Sequence, residues 1–229
     1  MLKNSLLALL ILSFALPAVA AAPAYHLELE AHPAAAFPYF SKFGTVDLHV
    51  YAGGVSAEVL WLNAFSRNGA PDVTVTNPLA RMYVDVAIGD ISSIVKNLAA
   101  GAGKVEQSAA PPSVQSGAGK VKGVAAVRHR LSWGPEAYID YWTTTTLADN
   151  PQLRRIVNEL LRGVSPNTAA VASRITGVPI YVELNFRRFK KVPLVTMKKL
   201  TLNSDDEKSA LERGPLYVRA GVLEKLWEK

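Results

Sequence analysis

The chain has 229 residues, 49% of them apolar and 19% charged, enough for one domain with a sizeable core. It contains no cysteine, which removes disulfides, thiolate metal sites, cysteine nucleophiles and the acylated cysteine of a bacterial lipoprotein. The formal net charge is +6; such a balance suits solubility, anionic headgroups or cell-wall polymers, and no nucleic-acid recognition motif accompanies it.

Residues 1–20 read as a secretory signal: Lys3 is the basic start, residues 6–18 are the apolar stretch, and Ala18-Val19-Ala20 is a small-residue cleavage site. The apolar run is short for a membrane span. The expectation is an exported protein, periplasmic or secreted, soluble after cleavage near Ala20, with residues 21–229 forming a single domain.

The first strand pattern is Tyr25–His32, where Tyr25, Leu27 and Leu29 alternate with polar residues. Strands follow at Val46–Tyr51 and Val55–Phe65, with Gly53-Gly54 as a hairpin signal between them. Val55, Ala57, Val59, Trp61 and Phe65 share one face by the two-residue period. Arg67-Asn68-Gly69 turns the chain into Val73–Thr76, and Arg81–Ile88 forms the next strand. Asp90 is read as the cap of a helix carrying Ile91, Ile94, Val95 and Leu98 on one stripe, laid on the sheet. Residues 99–119, rich in Ala, Gly, Pro and Ser, read as a mobile loop.

From Val121 the pattern is strand, Gly134-Pro135 turn and strand, with Ile139, Tyr141 and Thr143 opposing Tyr138, Asp140 and Trp142. Asp149-Asn150-Pro151 is a clear helix start, and Leu153, Ile156, Val157, Leu160 and Leu161 form its apolar stripe. After a polar connection, Gly177-Val178-Pro179 opens a strand ending near Phe186. Lys190-Lys191 turns into the last strand, Val192–Leu202, and Leu216–Trp227 reads as a terminal helix. The sum is an α+β fold: a mainly antiparallel sheet of about 8–9 strands with two or three amphipathic helices on one face.

Sites are harder to read. GAGKV occurs at Gly101–Val105 and Gly117–Val121, but both copies lack the first glycine and the final Ser or Thr of a phosphate loop. The four histidines show no metal-ligand spacing, so no metal or cofactor is expected. His129 lies on an apolar face and reads as a hydrogen-bonded core histidine. Ser132, His129 and Asp140 could be drawn as a triad, yet Ser132 lacks a nucleophile elbow and alternation puts it opposite His129. Glu136 and Asp140 could be drawn as a glycosidase pair, although solvated strand carboxylates are the plainer account. No catalytic residue is assigned, and the chain is expected not to be an enzyme, a hydrolase being the third reading.

Two sets remain. Trp61, Trp133, Ile139, Tyr141, Leu184 and Phe186 fall on core-type faces and would either fill the interior or line a pocket for an acyl chain. Arg187, Arg188, Lys190, Lys191, Lys198 and Lys199 would stand together if the last two strands pair around Lys191. They would then protect an edge strand or dock to an anionic surface.

The order of a meander, Gly119-Lys120-Val121-Lys122-Gly123, Asp140-Tyr141-Trp142, a helix and Gly177-Val178-Pro179-Ile180 resembles exported bacterial domains of unknown function related to the LolA-like lipoprotein-localisation carriers. The resemblance covers about Val73 to Leu202. It implies an open, curved half-barrel with helices over its concave face and hydrophobic-ligand binding, with no cofactor and no catalytic residue. The expected function is therefore non-enzymatic binding of a lipid, acyl chain or lipoprotein. The alternative is a packed interaction module docking an anionic envelope component through the basic hairpin. The sequence names neither the ligand nor the oligomeric state.

Overall fold

The computed structural model describes residues 24–31, 44–101, 111–164, 166–186, 189–202 and 207–221. The stretch read as a signal lies outside them. Among the described residues, twelve strands form one unclosed sheet in the order β12-β6-β5-β4-β3-β2-β1-β11-β10-β9-β8-β7. Every neighbouring pair is antiparallel except β12 with β6, and the described residues hold four helices beside the sheet. The α+β expectation holds; the strand count is higher than the pattern suggested.

Strands β1 (Tyr25–Ala31), β2 (Thr45–Val50) and β3 (Gly54–Val59) form the first part of the meander. The segment read as one strand from Val55 to Phe65 is two. Leu60, at φ 57°, reverses the chain with Trp61, and β4 (Leu62–Arg67) pairs back on β3 with Val59 opposite Leu62. Leucine is a rare residue in that backbone region, so no turn signal announced the hairpin. β5 (Asp72–Asn77) and β6 (Met82–Ala87) complete this half.

Helix α1 (Ile88–Gly101) follows without a break. Asp90 stands inside its first turn rather than before it, where a carboxylate still meets the positive end of the helix dipole. β7 (Ser113–Val121) occupies the last third of the stretch read as a loop. Small residues had suggested flexibility there, but the ladder to β8 (Val124–Gly134) supplies what side chains do not. Lys122 and Gly123 both have positive φ, the signature of a tight two-residue hairpin turn. β9 (Ala137–Thr144) then runs back along β8.

Helix α2 (Pro151–Val164) starts as read. The Asn150 side-chain oxygen accepts from the backbone N–H groups of Gln152 at 2.8 Å and Leu153 at 3.0 Å. The connection read as polar coil contains a further helix, α3 (Pro166–Ala172), too short for a periodic stripe. β10 (Val178–Phe186) and β11 (Phe189–Leu202) form a hairpin that enters the middle of the sheet between β9 and β1. The last described segment holds α4 (Glu207–Ala210) and β12 (Val218–Arg219). It is not helical over 216–221, because it is pulled out to pair with β6; residues 222–229 lie outside the described residues.

The core follows the helices. Leu153, Ile156 and Val157 of α2 pack on Tyr25, Leu27, Val50, Val55, Ile180 and Met197. α1 runs beside α2. Around α3, Val171 and Ile175 pack on Leu131, Ile139 and Leu184. Among the described residues no helix is long and apolar enough to cross a membrane.

Candidate functional site

The helix-covered face brings some of the six apolar candidates together. Ile139 and Leu184 are buried, and Trp133 packs against them beneath α3. They meet because β9 is in register with both neighbours: Ile139 stands opposite Leu131 on β8 and Leu184 on β10. Tyr141 lies next along β9, and burial holds its phenol well above the ordinary tyrosine range. It lines a gap between helix and sheet with Leu153, Val157, Ala172, Ile175 and Val178, of about 10 Å³. That space is no larger than one water. Trp61 stands apart, in the β3–β4 turn, packed with Leu62, Val84 and Ala220. Phe186 is opposite Ala137 on one side and Phe189 on the other, with its side chain outside the described residues.

The basic set is dispersed. β10 and β11 are interior strands, so the edge-strand reading does not hold, and their pairing reaches Phe186 opposite Phe189 rather than centring on Lys191. Arg187 and Arg188 lie outside the described residues, as does the Lys190 side chain. Lys191, at φ 53°, is exposed near the start of β11. Lys198 is seven residues further on, roughly 23 Å along the strand, and binds Glu30 at 3.0 Å. Lys199 sits opposite Glu28 in register. The extended backbone of β11 itself carries Lys198 and Lys199 away from Lys191.

His129 is hydrogen-bonded but half-buried rather than in the core. Its Nδ1 contacts Ser116 Oγ at 2.9 Å and its Nε2 contacts Thr143 Oγ1 at 3.2 Å. Burial lowers its pKa. The Ser132 hydroxyl donates to Gly134 O at 2.8 Å. Asp140 is engaged on the other face: Arg130 donates to it through Nε at 2.8 Å and Nη2 at 2.7 Å. Arg128 Nε stands 3.3 Å from the same carboxylate. The drawn triad is therefore not assembled, and Glu136 is exposed at a turn while Asp140 is sealed in an ion pair. The pair is cross-strand in origin, Arg130 and Asp140 being direct partners of β8 and β9. Arg130 also lies 3.8 Å over the Tyr138 ring, and Asp140 raises its pKa further.

An open groove of about 400 Å³ lies on the face of the sheet opposite α2. Its floor comes from alternate residues of β2–β5: His49 faces Ser56, Glu58 faces Asn63, and Asn63 faces Thr76. Its roof is the segment 209–217, with Tyr217 and Arg213 toward the space. The roof is fastened at several points. Glu207 Oε1 accepts from Gly53 N–H at 2.6 Å, and Arg67 donates to Leu211 O at 3.2 Å and pairs with Glu212 at 3.0 Å. Arg213 lies 3.7 Å over the Tyr83 ring. Beside the groove His26 and His49 stack at 4.3 Å, and Asp47 contacts His26 at 2.8 Å. Among the described residues no group of three or more His, Cys, Asp or Glu could hold a metal ion. Sequence reasoning missed this groove. Alternation in β2–β4 marks its polar floor, but nothing local says that residues 209–217 cross over it.

No protein-family model and no curated protein matches the chain. Among solved structures it is similar to the crystal structure of an uncharacterized conserved protein from Thermus thermophilus, with a TM-score of 0.46 and 8% identity over 87% of this chain and 91% of that one. It is also similar to the crystal structure of LprF from Mycobacterium bovis, with a TM-score of 0.28 and 15% identity over 80% and 85% of the two chains. Both scores lie below 0.5, so neither likeness bears on function.

Proposed function

We propose that this is a non-catalytic binding protein of the cell envelope or the extracellular space, taking a lipid, acyl chain or lipid-linked partner between its helices and its sheet. This keeps the LolA-like reading of the sequence motifs. The observation that supports it is the construction of the helical layer. α2 is tied to the sheet by polar bonds at its first turn: Asn150 Nδ2 donates to Tyr51 O at 3.1 Å, and Gln152 Nε2 to Ser66 Oγ at 2.7 Å. Beyond that turn, apart from the exposed Arg155 Nη1 donating to Ala70 O at 3.0 Å, Leu153, Ile156, Val157 and the α3 residues rest on apolar sheet residues, with the Tyr141 gap between them. Apolar contact is non-directional, so the layer can lift and accept an acyl chain at small cost in specific bonds, pivoting at Asn150.

The gap of about 10 Å³ favours a second reading, in which the interior is permanently filled and the protein is an interaction module. The two separate in one experiment. The full chain, signal included, is expressed in a bacterial host, purified without detergent and extracted with organic solvent for mass spectrometry. Stoichiometric phospholipid or acyl species support the first reading. A clean protein that also ignores a fluorescent fatty-acid probe rejects it and leaves the module.

A further inference from the structure

The two edges of the sheet are finished differently. At one, β12 covers β6: Val218 N–H donates to Arg81 O at 2.9 Å and Ala220 N–H to Tyr83 O at 2.7 Å. At the other, β7 is the last strand, and among the described residues nothing pairs with its outer side. Edge strands are ordinarily blunted by proline, charge, a bulge or short length, since their free backbone groups recruit other strands. β7 is nine residues long, has no proline, and carries one charge, Lys120. Its register with β8 is unbroken from Ser113↔Ser132 to Val121↔Val124. Residues 113–118 are all exposed.

The hairpin geometry says which backbone groups are free. In a two-residue turn the flanking pair, here Val121 and Val124, exchanges both hydrogen bonds, and hydrogen-bonded pairs then alternate along the ladder. Gln115, Gly117, Gly119 and Val121 therefore bond to β8. Val114, Ser116, Ala118 and Lys120 point their N–H and C=O groups outward.

Side chains and charge describe what would fit there. Gly119 leaves room for the Trp142 ring, which a Cβ at that position would meet at 2.8 Å. Gly117 faces Arg128, whose side chain is 37% exposed. An incoming strand thus finds an aromatic ring and a guanidinium behind two residues without side chains. Residues 113–134 carry Lys120, Lys122, Arg128 and Arg130 and no carboxylate. Asp140, across on β9, is already claimed by Arg130. A second copy of this hairpin would bring like charge, whereas an acidic strand would be drawn to it.

We propose that β7 is a strand-addition site that takes an extended acidic segment of a partner protein as a further antiparallel or parallel strand. The main chain supplies the bonding and the basic hairpin selects the sign of charge.

The test uses the full-length purified protein and a blocked nonapeptide, TVEVTVEVT, with its lysine counterpart TVKVTVKVT. Hydrogen exchange on the free protein should show fast amides at Val114, Ser116, Ala118 and Lys120 between slow ones at Gln115, Gly117, Gly119 and Val121. The acidic peptide should slow those four and bind saturably by calorimetry, and the lysine peptide should bind more weakly. Ala118→Pro removes an outward N–H and none from the β7–β8 ladder, and should weaken binding about tenfold with the thermal midpoint unchanged. An acidic peptide N-methylated at alternate residues should fail equally, independently of how the variant folds. The proposal is overturned if the acidic peptide does not bind, if binding is indifferent to Ala118→Pro and to N-methylation, or if the lysine peptide binds as well. It is also overturned if the outward amides of the free protein are already slow, which would mean that another part of the chain or a second copy covers the edge.

Discussion

Replacing Asn150 by alanine perturbs one buried side chain with two jobs. Its oxygen caps α2 through Gln152 and Leu153, and its Nδ2 donates to Tyr51 O at 3.1 Å. Loss of the cap costs about 1 kcal/mol. The Tyr51 carbonyl then loses a buried donor, at about 1–2 kcal/mol. Gly54 O, a longer contact at 3.4 Å, still accepts from Tyr51 N–H at 2.9 Å and stays satisfied. Asn150→Ala should therefore lower stability by about 2–3 kcal/mol, or the melting midpoint by roughly 5–10 °C for a domain of this size. Asn150→Ser retains a capping oxygen but does not reach Tyr51, so it should lose about half as much. Urea unfolding followed by circular dichroism at constant m-value provides the measurement. An alanine variant within about 0.5 kcal/mol of the parent, or a serine variant as unstable as alanine, would refute the assignment of α2's first turn as the anchor of the helical layer.

Three further outcomes follow from single positions. Gly177 has φ +95° and a Cβ there would sit 2.7 Å from Thr144 O; Gly177→Ala combines backbone strain with a clash and should cost about 3 kcal/mol or more, read in the same unfolding assay. Asp140→Asn strands Arg130 and Arg128 beside a neutral group; both can turn partly to water, so a loss of about 2–4 kcal/mol is expected, and an unchanged midpoint would mean that the ion pair contributes nothing. Because burial lowers the His129 pKa, the unfolded chain binds a proton there before the folded protein does. Stability should be full above the ordinary histidine pKa of about 6.5 and fall on acidification through the lower folded value. Thermal midpoints between pH 8 and 5 should show that slope, and His129→Gln should reduce it.

Local patterns were legible where one element faces one environment. The α2 start was readable because Asn150-Pro151 combines a cap with a residue pre-set for the first turn, and its stripe because 3.6-residue spacing is imposed by the core alone. The opposed faces of β9 were readable by alternation. The β3–β4 turn was not, because Leu60 occupies a backbone conformation that its side chain disfavours, and the neighbouring strands hold it there. β7 was hidden by its composition: Ser116, Gly117, Ala118 and Gly119 bury little, and their extended form comes from the ladder to β8. Among the six apolar candidates, register brings Trp133, Ile139 and Leu184 together. Trp61 lies apart from them, because it belongs to a turn on the far half of the sheet.

From the order of its residues this chain determined its class, the alternation of its strands, the start of its principal helix and the absence of any thiol chemistry, since these depend on periods and residue types within a few positions. Tertiary structure alone decided that β10 and β11 enter the middle of the sheet, that Arg128 and Arg130 converge on Asp140, and that residues 209–217 roof a groove over β2–β5. Each joins residues from separate strands or segments, and their meeting depends on strand order and register, which are properties of the whole sheet rather than of any window along the chain.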